Sequence, residues 1–585
     1  MPDGGALSTD DPRSVLGQLV WRIRYRIVFG AALVLYLFLS LHFYLGAGRD
    51  DVFISMWVGE AMAEGHGFVN HNLERVEICT SLLHALVLAF FAKYAPGHVF
   101  TLNKLAGLVC GGAVLSVLHT YRGALLADVK KRQFAAYLAM MLLVSTNPGF
   151  LYWNLGGLET PFVTLLFALY AAQVAAHWQR PTIRAEVGIA IAAALYALAR
   201  PEGLFLVLFG AIYVALFYWF TGWRSSLLIV VLIPAVTTAL VMVWRYSYFG
   251  QCFPNPVYAK TGPLIEAVQN GLTYFGQFYT ASLFLTWSLG VAAALFVHYA
   301  ALLWRSLDRD LAPRLRNRLN HLSTLGLVVA VNLVVVLAGG DWMEHFRFFA
   351  PEIPLLVVIS VVTGFRLFSR VFGAAGSPRA RRVALTVGIT LLMTLAVSNA
   401  KQSDLNVPRP LAVRNVSNIH DYALSHVFAD LTGLDQRLIL LNRDHEREFT
   451  LLEPFLKETL PRLYREHGHI TIATGQMGCF PYLIKKRFPQ YNLYFVDHLG
   501  LCDKTVSRMP LPKDHIGLTH GRFTDEVIAG MVPILSDYVR SKKPQMLYML
   551  GFVADMDERV ERLRRCGYDV IFDDGPEKVF FNPDP

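Results

Sequence analysis

Residues 27–48 have the sequence IVFGAALVLYLFLSLHFYLGAG, and this segment decides the fold class of the first part of the chain. It contains no Asp, Glu, Lys or Arg, and about 20 such residues cross the ~30 Å hydrocarbon core of a bilayer as a helix. The apolar region of a secretory signal has only about 7–15 residues and is followed by a small-residue cleavage site, which is missing here. We therefore predict a transmembrane helix that is retained.

Charged residues are distributed unevenly along the 585-residue chain, which carries a net charge of +9. Residues 401–585 hold 49 of the 97 Asp, Glu, Lys and Arg residues and are about 26% charged, whereas residues 1–400 are about 12% charged. Soluble domains carry about 25% charged residues. A single soluble globule is therefore excluded, and an aromatic content of 13% excludes disorder. We predict a transmembrane domain over residues 1–400 and a soluble domain over residues 401–585.

Further apolar segments of about the length of a membrane span follow the first one. Together the predicted spans are residues 27–47, 99–118, 134–151, 160–177, 185–199, 202–220, 225–244, 281–304, 321–338, 351–369 and 383–399, about eleven helices. The spans 185–199 and 202–220 meet at Pro201 and could form one broken element. Residues 81–94 are apolar but short, so we expect an interfacial or re-entrant helix there.

The basic residues of the loops define one side of the predicted bundle. With these spans, every basic cluster falls on the same side: Arg22, Arg24, Arg26, Arg122, Lys130, Lys131, Arg132, Arg180, Arg184, Arg224, Arg305 to Arg318, Arg379, Arg381 and Arg382. Lys and Arg are enriched in short cytoplasmic loops. We therefore expect the N-terminus in the cytoplasm and the C-terminal domain outside it.

Asp50 and Asp51 begin the external segment that follows the first span. A carboxylate pair at a membrane surface can act as a general base for a hydroxyl group, or can bind a divalent cation. Asp is also a favoured N-cap residue, so the pair could simply cap a helix that starts at Val52. The dipeptide alone leaves these interpretations open.

Three basic residues on separate external segments form a second candidate group, Arg200, Lys260 and Arg347, with His345 nearby. Arg and Lys at the membrane boundary are natural ligands of a lipid phosphate head group. The alternative is pairing with carboxylates that are close in sequence: Arg200 with Glu202, and Arg347 with Glu344 or Glu352. The shared side of the three residues and the Asp pair favours phosphate binding.

Residues 49–81 have the sequence RDDVFISMWVGEAMAEGHGFVNHNLERVEICTS. They resemble the first external loop of bacterial lipid-linked arabinofuranosyltransferases of the GT-C superfamily, whose usual pattern is DDAFISxRYAxNLxxGxGxVxNxGExVEGYTSxLW. Further matches follow in order: GLETP at 157–161, ARPEG at 199–203, FGQCFPNPVYAK at 249–260, GGDWMEHFRFFAPEIP at 339–354, and a turn similar to VDxxGLxD at 496–503. They cover the membrane half and part of the tail, and they lie on the predicted external side.

The resemblance implies a GT-C fold in the bacterial cytoplasmic membrane and transfer of D-arabinofuranose from a polyprenyl-phosphate donor, with no cofactor required. Its first-loop aspartate would be Asp50 or Asp51, acting as the base or as a positioner of the acceptor hydroxyl. The implied partners are the lipid-linked pentose donor, a glycan or surface-protein acceptor and the bilayer, but no nucleic acid. Candidate substrate-binding residues in the matched segments are Glu77, Thr80, Ser81, Glu159, Glu202, Asn255, Tyr258, Asp341 and Trp342. The chain departs from the pattern at Ile78-Cys79, where Gly-Tyr is usual, and at His84, where Trp is usual.

The C-terminal domain alternates predicted strands at 469–474, 492–496, 547–550 and 570–572 with helices at 446–466 and 481–488. This alternation predicts an α/β domain with a partly parallel sheet. The segment TGQMGC at 474–479 lacks the full GxGxxG pattern of nucleotide binding, so we prefer a sheet-edge turn. Among six cysteines there is no metal-site spacing, but Cys479 and Cys502 could pair in an oxidising compartment. Five aromatic residues could stack against acceptor sugars: Phe480, Tyr482, Tyr491, Tyr494 and Phe495.

Two other functions share part of this pattern. A transporter or flippase for a lipid-linked sugar would have similar basic residues and spans, but transporters usually contain internal repeats, and we detect none in the sequence. A scaffold that anchors the external domain would need far fewer helices. Sugar transfer is therefore the favoured hypothesis.

Overall fold

The computed structural model shows a helical N-terminal part and a small α/β domain at the C-terminus. It describes residues 12–44, 50–222, 227–260, 264–305, 312–341, 343–372, 444–475, 477–497, 500–508, 541–550, 567–573 and 577–582, with a few single positions between 386 and 394 and between 561 and 564. The predicted domain boundary near residue 400 lies outside the described residues, as does nearly all of the predicted span 383–399.

The described helices of the N-terminal part are numbered in chain order. They are α1 Pro12–Phe43, α2 Asp51–Ala63, α3 Leu82–Tyr94, α4 Val99–Thr120, α5 Arg122–Leu125, α6 Gln133–Ser145, α7 Pro148–Leu155, α8 Thr160–Gln179, α9 Ile183–Ala199, α10 Leu204–Thr221, α11 Leu227–Phe249, α12 Asn255–Lys260, α13 Leu264–Thr280, α14 Leu283–Arg305, α15 Ala312–Leu337 and α16 Ile353–Phe372. The predicted helical membrane domain is thus confirmed, and residues 82–94 form a short helix as expected.

Within the described part of the chain, six helices are long and apolar enough to cross a bilayer, or eight if each of two bent pairs counts as one span. Seven of these coincide with predicted spans, and the predicted span 281–304 matches only the second helix of the bent pair Leu264–Thr280 and Leu283–His298, which meet at 114°. The predicted span 321–338 falls on a shorter apolar stretch, Leu322–Leu337. The predicted span 185–199 lies in α9, which has only 17 residues and begins with charged side chains.

The bend in the predicted span 134–151 has a local cause in the sequence. Pro148 lacks an N–H group and cannot continue α6, whereas proline is well suited to the first turn of the next helix. The Asn147 side chain accepts a hydrogen bond from the Phe150 amide at 3.0 Å and so caps α7. As a result α6 and α7 meet at 51°.

Glycines of α4 bring α7 close to its neighbours. A Cβ atom on Gly107 would collide with the Asn154 carbonyl of α7, and one on Gly111 would collide with the Tyr36 hydroxyl of α1. Small residues allow this close approach between apolar helices, where dispersion contacts rather than water exclusion hold the bundle together. The packing fixes α7, and with it the loop at 156–159 that carries Glu159.

The C-terminal domain contains helix α17 Asp444–His467, strand β1 Ile470–Thr474, helix α18 Cys479–Arg487 and strands β2 Leu493–Asp497, β3 Met546–Leu550, β4 Asp569–Asp573 and β5 Glu577–Phe581. The strand order is β2-β1-β3-β5-β4. β1 pairs in parallel with β2 and β3, whereas β5 is antiparallel to β3 and β4. The predicted α/β class and mixed sheet are therefore confirmed.

Candidate active site

Arg200 lies at a break between two helices. A residue before proline is disfavoured in the helical conformation, and Arg200 is accordingly extended (φ −149°, ψ 138°), so α9 ends and a short 3-10 helix starts at Pro201. Its guanidinium Nη1 is 2.8 Å from Glu159 Oε1, and its Nε is 3.8 Å from Glu202. Of the two carboxylates, Glu159 is the nearer and the more deeply buried partner.

Arg347 reaches the same place from a different segment. It forms an ion pair with Asp341 at 2.6 Å, and both side chains are buried. The guanidinium carbons of Arg200 and Arg347 lie 4.8 and 4.9 Å from the centroid of the same Phe348 ring. Cations at this distance are attracted by the ring quadrupole. The structure therefore brings two arginines and their carboxylates together around one aromatic ring.

The pair formed by Glu159 and Arg200 stays ionised. Burial raises the pKa of Glu159, but the neighbouring Arg200 and Arg347 outweigh it and hold that pKa below its usual value. Burial acts to lower the pKa of Arg200, and the surrounding carboxylates raise it above its usual value. Arg200 thus pairs with Glu159 as well as with the expected Glu202, and Arg347 pairs with Asp341. The side chain of Glu344, an expected partner of Arg347, lies outside the described residues. Glu352 instead accepts hydrogen bonds from Tyr279 and Asn332 at 3.2 and 2.9 Å.

His345 is buried beside the arginines but faces aromatic rings. Its ring centroid is 4.6 Å from that of Tyr152 and 5.9 Å from that of Tyr44. Its backbone has φ 49°, and the next residue, Phe346, has φ 52°. Two consecutive non-glycine residues in the left-handed region are uncommon, and such strain concentrates at functional sites. Trp342, a predicted substrate contact in this segment, lies outside the described residues.

Glu77 has a partner that the sequence analysis missed. Arg245 Nε lies 3.0 and 2.9 Å from the two carboxylate oxygens, and both side chains are buried. Burial raises the pKa of Glu77 to about 7 although Arg245 opposes the change. The thiol of Cys79 interacts electrostatically with both Glu77 and Glu159, so the two acidic sites are neighbours. The signal for this pair in the sequence is Arg245 itself, a single Arg in the otherwise apolar helix α11. Charged residues in such helices are costly to bury and therefore often mark functional sites.

Departures from the family pattern shape the loop that carries Glu159. His84 Nε2 is 2.9 Å from Asn103 Oδ1, and Asn103 donates to the Gly157 carbonyl at 2.6 Å. Gly157 has φ 77°, and a Cβ there would press on Val52, which follows the Asp pair. Ser81 caps α3 by accepting from the His84 amide at 3.2 Å, and Thr80 before it is half-buried. The segment at 50–81 and the 156–159 loop are therefore packed together.

Asp50 does not cap α2. Its side chain makes no cap hydrogen bond to that helix. Instead Oδ2 accepts from the Gly478 amide at 2.9 Å, and Oδ1 accepts from the Cys479 amide at 2.6 Å, at the start of α18. Asp51 is half-buried in the first turn of α2. The capping interpretation is therefore wrong for Asp50, because the amides of another domain occupy its carboxylate.

A divalent cation at the Asp pair stays a prediction. In the described residues no group of three or more His, Cys, Asp and Glu side chains could hold a metal ion. Cys479 and Cys502, considered as a disulfide, are free thiols in the structure.

The remaining predicted residues lie against the C-terminal domain. Asn255 donates to the carbonyls of Gly500 and Leu501 at 2.8 and 3.0 Å. The Arg508 guanidinium carbon is 5.5 Å from the Tyr258 ring centroid. Lys260 ends the same short helix, α12, and is half-buried. The structure thus joins Arg200 with Arg347 and places Asn255 and Tyr258 at a domain contact.

The aromatic residues proposed to stack on acceptor sugars differ in exposure. Phe480, Tyr482 and Phe495 are buried, so their rings are not available to a sugar. The Tyr482 hydroxyl donates to Glu60 at 2.6 Å, and the Tyr494 hydroxyl donates to Glu74 at 3.1 Å. Tyr491 packs against Tyr464 of the same domain. Tyr491 and Tyr494 are half-buried, and sugar stacking stays a prediction for these two.

Two crystal structures are similar to the chain over nearly its whole length, those of ArnT from Cupriavidus metallidurans bound to undecaprenyl phosphate and in the apo state. The first is 14% identical with a TM-score of 0.44, covering 96% of this chain and 97% of that one. The second is 14% identical with a TM-score of 0.42, covering 97% and 98%. No protein-family model matches the sequence, and no curated protein matches it. At 14% identity this likeness concerns the fold and not the chemistry of the chain.

Proposed function

We propose that the protein is a GT-C glycosyltransferase that transfers D-arabinofuranose from a polyprenyl-phosphate donor to an acceptor outside the cytoplasm. The observation that carries the proposal is the convergence of Arg200 and Arg347 on Phe348. Both residues lie at helix ends, where an anionic lipid head group at the membrane boundary would be bound. The 156–159 loop, which carries the Glu159 partner of Arg200, packs against Val52, the residue after Asp51 at the start of α2.

The chemistry follows from the leaving group. In this donor the lipid phosphate departs from the anomeric carbon, so no nucleotide and no cofactor are needed. A guanidinium has five N–H donors, and each ion pair uses only part of them. The other donors are directed to phosphate oxygens and stabilise the charge that develops as the C–O bond breaks. Glu159 and Asp341 hold the two guanidinium groups in place.

Of the two aspartates, Asp51 is assigned as the base. Both oxygens of Asp50 accept amide hydrogen bonds from the C-terminal domain. Asp51 is the adjacent carboxylate, and it removes the proton of the acceptor hydroxyl as that oxygen attacks the anomeric carbon. Asp50 could act as the base only if its hydrogen bonds to the amides of Gly478 and Cys479 were broken.

The remaining assignments complete the proposal. The acceptor is a glycan or a surface protein, and the protein resides in the bacterial inner membrane with its N-terminus in the cytoplasm. The C-terminal domain lies outside the cytoplasm, on the side of the first external loop. Its contacts with Glu60 of α2 and with Asn255 of the segment at 249–260 support this position.

The test uses the full-length protein in lipid nanodiscs. The donor is a synthetic polyprenyl-phosphate arabinofuranose labelled in the sugar, and the acceptor is an envelope fraction from a strain that lacks the protein. We expect label transfer by the wild type, a loss of at least about 10²-fold in Asp51→Asn, and unchanged retention of the labelled lipid. Glu266→Gln, at a half-buried carboxylate of α13 outside the proposed site, is the matched control.

Two results would refute the proposal. One is the absence of transfer by the wild type together with movement of the labelled lipid across the bilayer, which would indicate a flippase. The other is equal transfer from a polyprenyl-phosphate hexose, which would refute the assignment of a pentose donor.

A further inference from the structure

The edge strand of the C-terminal domain contacts the segment 50–81, which begins with the Asp pair and contains α2 and Asn72. The side chain of Asn72 makes the two hydrogen bonds that a neighbouring strand would make with Phe495. Its Nδ2 donates to the Phe495 carbonyl and its Oδ1 accepts from the Phe495 amide, both at 2.8 Å. Strand β2, which contains Phe495, lies at one edge of the sheet. An exposed edge presents unpaired backbone groups that favour association, and here the loop covers them.

Helix α18 of the same domain starts without a cap of its own. Its N-cap residue is Gly478, which has no side chain to accept from the first amides. The carboxylate of Asp50 supplies that cap from 428 residues away in the sequence. A carboxylate at a helix N-terminus is favoured both by the hydrogen bonds and by the helix dipole. The pairing therefore stabilises the helix and restrains Asp50 at the same time.

Glycine is required at position 478 by this contact. A Cβ atom there would collide with the carbonyl oxygen of Asp50 and with its carboxyl group. Backbone atoms cannot move aside as the end of a flexible side chain can, so any larger residue would push the two segments apart. Gly478, the second glycine of TGQMGC, is thus explained by the contact with Asp50 and not by nucleotide binding.

A second set of contacts joins the domain to the loop at 249–260. Ser507 donates to Asn255 Oδ1 at 2.9 Å, and Lys504 donates to the Phe249 carbonyl at 2.9 Å. The Glu77 carbonyl accepts from the Asn255 amide at 2.9 Å. The domain therefore bridges two external loops, and the first of them carries the Asp pair.

We propose that the C-terminal domain forms part of the active site and that the backbone amides of Gly478 and Cys479 position the aspartate pair. Holding Asp50 fixes the start of α2 and hence the direction of Asp51, the next residue. The inference rests on the proposed function and adds that transfer depends on this contact. It assigns the domain a role in the chemical step rather than in acceptor affinity.

The experiment compares kinetic constants of full-length variants in the nanodisc assay, with the labelled lipid donor and the envelope fraction. Gly478→Ala leaves both carboxylates in the chain but separates Asp50 from the amides. We expect kcat to fall about 10²-fold, as for a misplaced catalytic group, with KM for the donor and the envelope fraction changed by less than about threefold. Gly276→Ala, at a helical glycine with open space around its Cβ position, is the matched control and should keep wild-type constants.

A series at Asp50 supplies a readout that a merely structural role would not give. Asn offers one acceptor oxygen for the two amides, so Asp50→Asn should keep an intermediate kcat, and Asp50→Ala should lose most of it. Hydrogen exchange of the peptide that contains Gly478 and Cys479 should speed up in the same order. Exchange in β1 and β3 should stay at the wild-type rate, which shows that the domain remains folded.

The outcomes are distinguishable. Wild-type kcat in Gly478→Ala and Asp50→Ala, or a change confined to the KM for the envelope fraction, overturns the inference and leaves the proposed function intact. If Gly478→Ala unfolds the domain, the Asp50 series in the folded domain decides by the same criterion. Absence of transfer by the wild type overturns the proposed function and this inference with it.

Discussion

Replacing Glu159 by Gln should reduce the free energy of unfolding by about 2–3 kcal/mol. Glu159 and Arg200 form a 2.8 Å ion pair, and their side chains are only 6% and 9% exposed. Removal of one partner from a buried pair costs about 3–5 kcal/mol, because the other charge is left uncompensated. The expected loss is smaller here because Glu202 remains 3.8 Å from Arg200 and because Gln keeps a hydrogen-bond acceptor.

Glu202→Gln is the matched control, since it removes the other carboxylate of the same arginine. Its side chain is 30% exposed and its ion pair is longer, so we expect about 0–1 kcal/mol. The double variant Glu159→Gln/Arg200→Met removes the uncompensated charge as well. It should recover part of the stability that Glu159→Gln alone loses.

The assay is thermal unfolding of the full-length protein in detergent micelles, followed by tryptophan fluorescence at pH 7. The pKa of Glu159 is depressed, so the stabilisation from its ionised form is fully present above the usual range of carboxylates and is lost only as the pH falls through the depressed value. The reasoning is refuted if Glu202→Gln lowers the midpoint as much as Glu159→Gln does. It is also refuted if the double variant is no more stable than Glu159→Gln.

Two further predictions concern the domain contact. Asn72→Ala leaves the amide and the carbonyl of Phe495 without their partner, at about 1 kcal/mol for each hydrogen bond. Hydrogen exchange should increase in β2 and stay unchanged in β1, and equal exchange of β2 in the wild type and the variant would contradict the edge-strand role. Burial lowers the pKa of Lys485 to about 8, so the folded protein loses a proton that the unfolded chain still binds, and stability should rise between about pH 8 and pH 10.5. Lys485→Met should therefore raise the thermal midpoint at pH 7 and flatten that rise, whereas an unchanged pH dependence would show that Lys485 is not desolvated.

The sequence alone determined the elements of the fold, because each depends on neighbouring residues. Uncharged stretches of about 20 residues located seven of the spans and the second helix of an eighth, bent one. The alternation of strand and helix patterns located four of the five described strands, all except β5. Pro201 marked one helix break in the sequence, whereas the break at Pro148, inside the predicted span 134–151, was seen only in the structure. The predicted span 185–199 corresponds to α9, whose 17 residues are at the lower limit for crossing a bilayer, so this span stays a prediction.

The partners of the charged residues were decided only by the tertiary structure. Glu159 and Arg200 are 41 positions apart, Glu77 and Arg245 are 168 apart, and Asp50 and Gly478 are 428 apart. A carboxylate in the sequence indicates that some cation or amide must balance it once it is buried, but not which one. The sequence therefore indicated which loops carry the candidate charged residues, whereas the packing of distant segments selected Asp50 for the domain contact and left Asp51 as the proposed base.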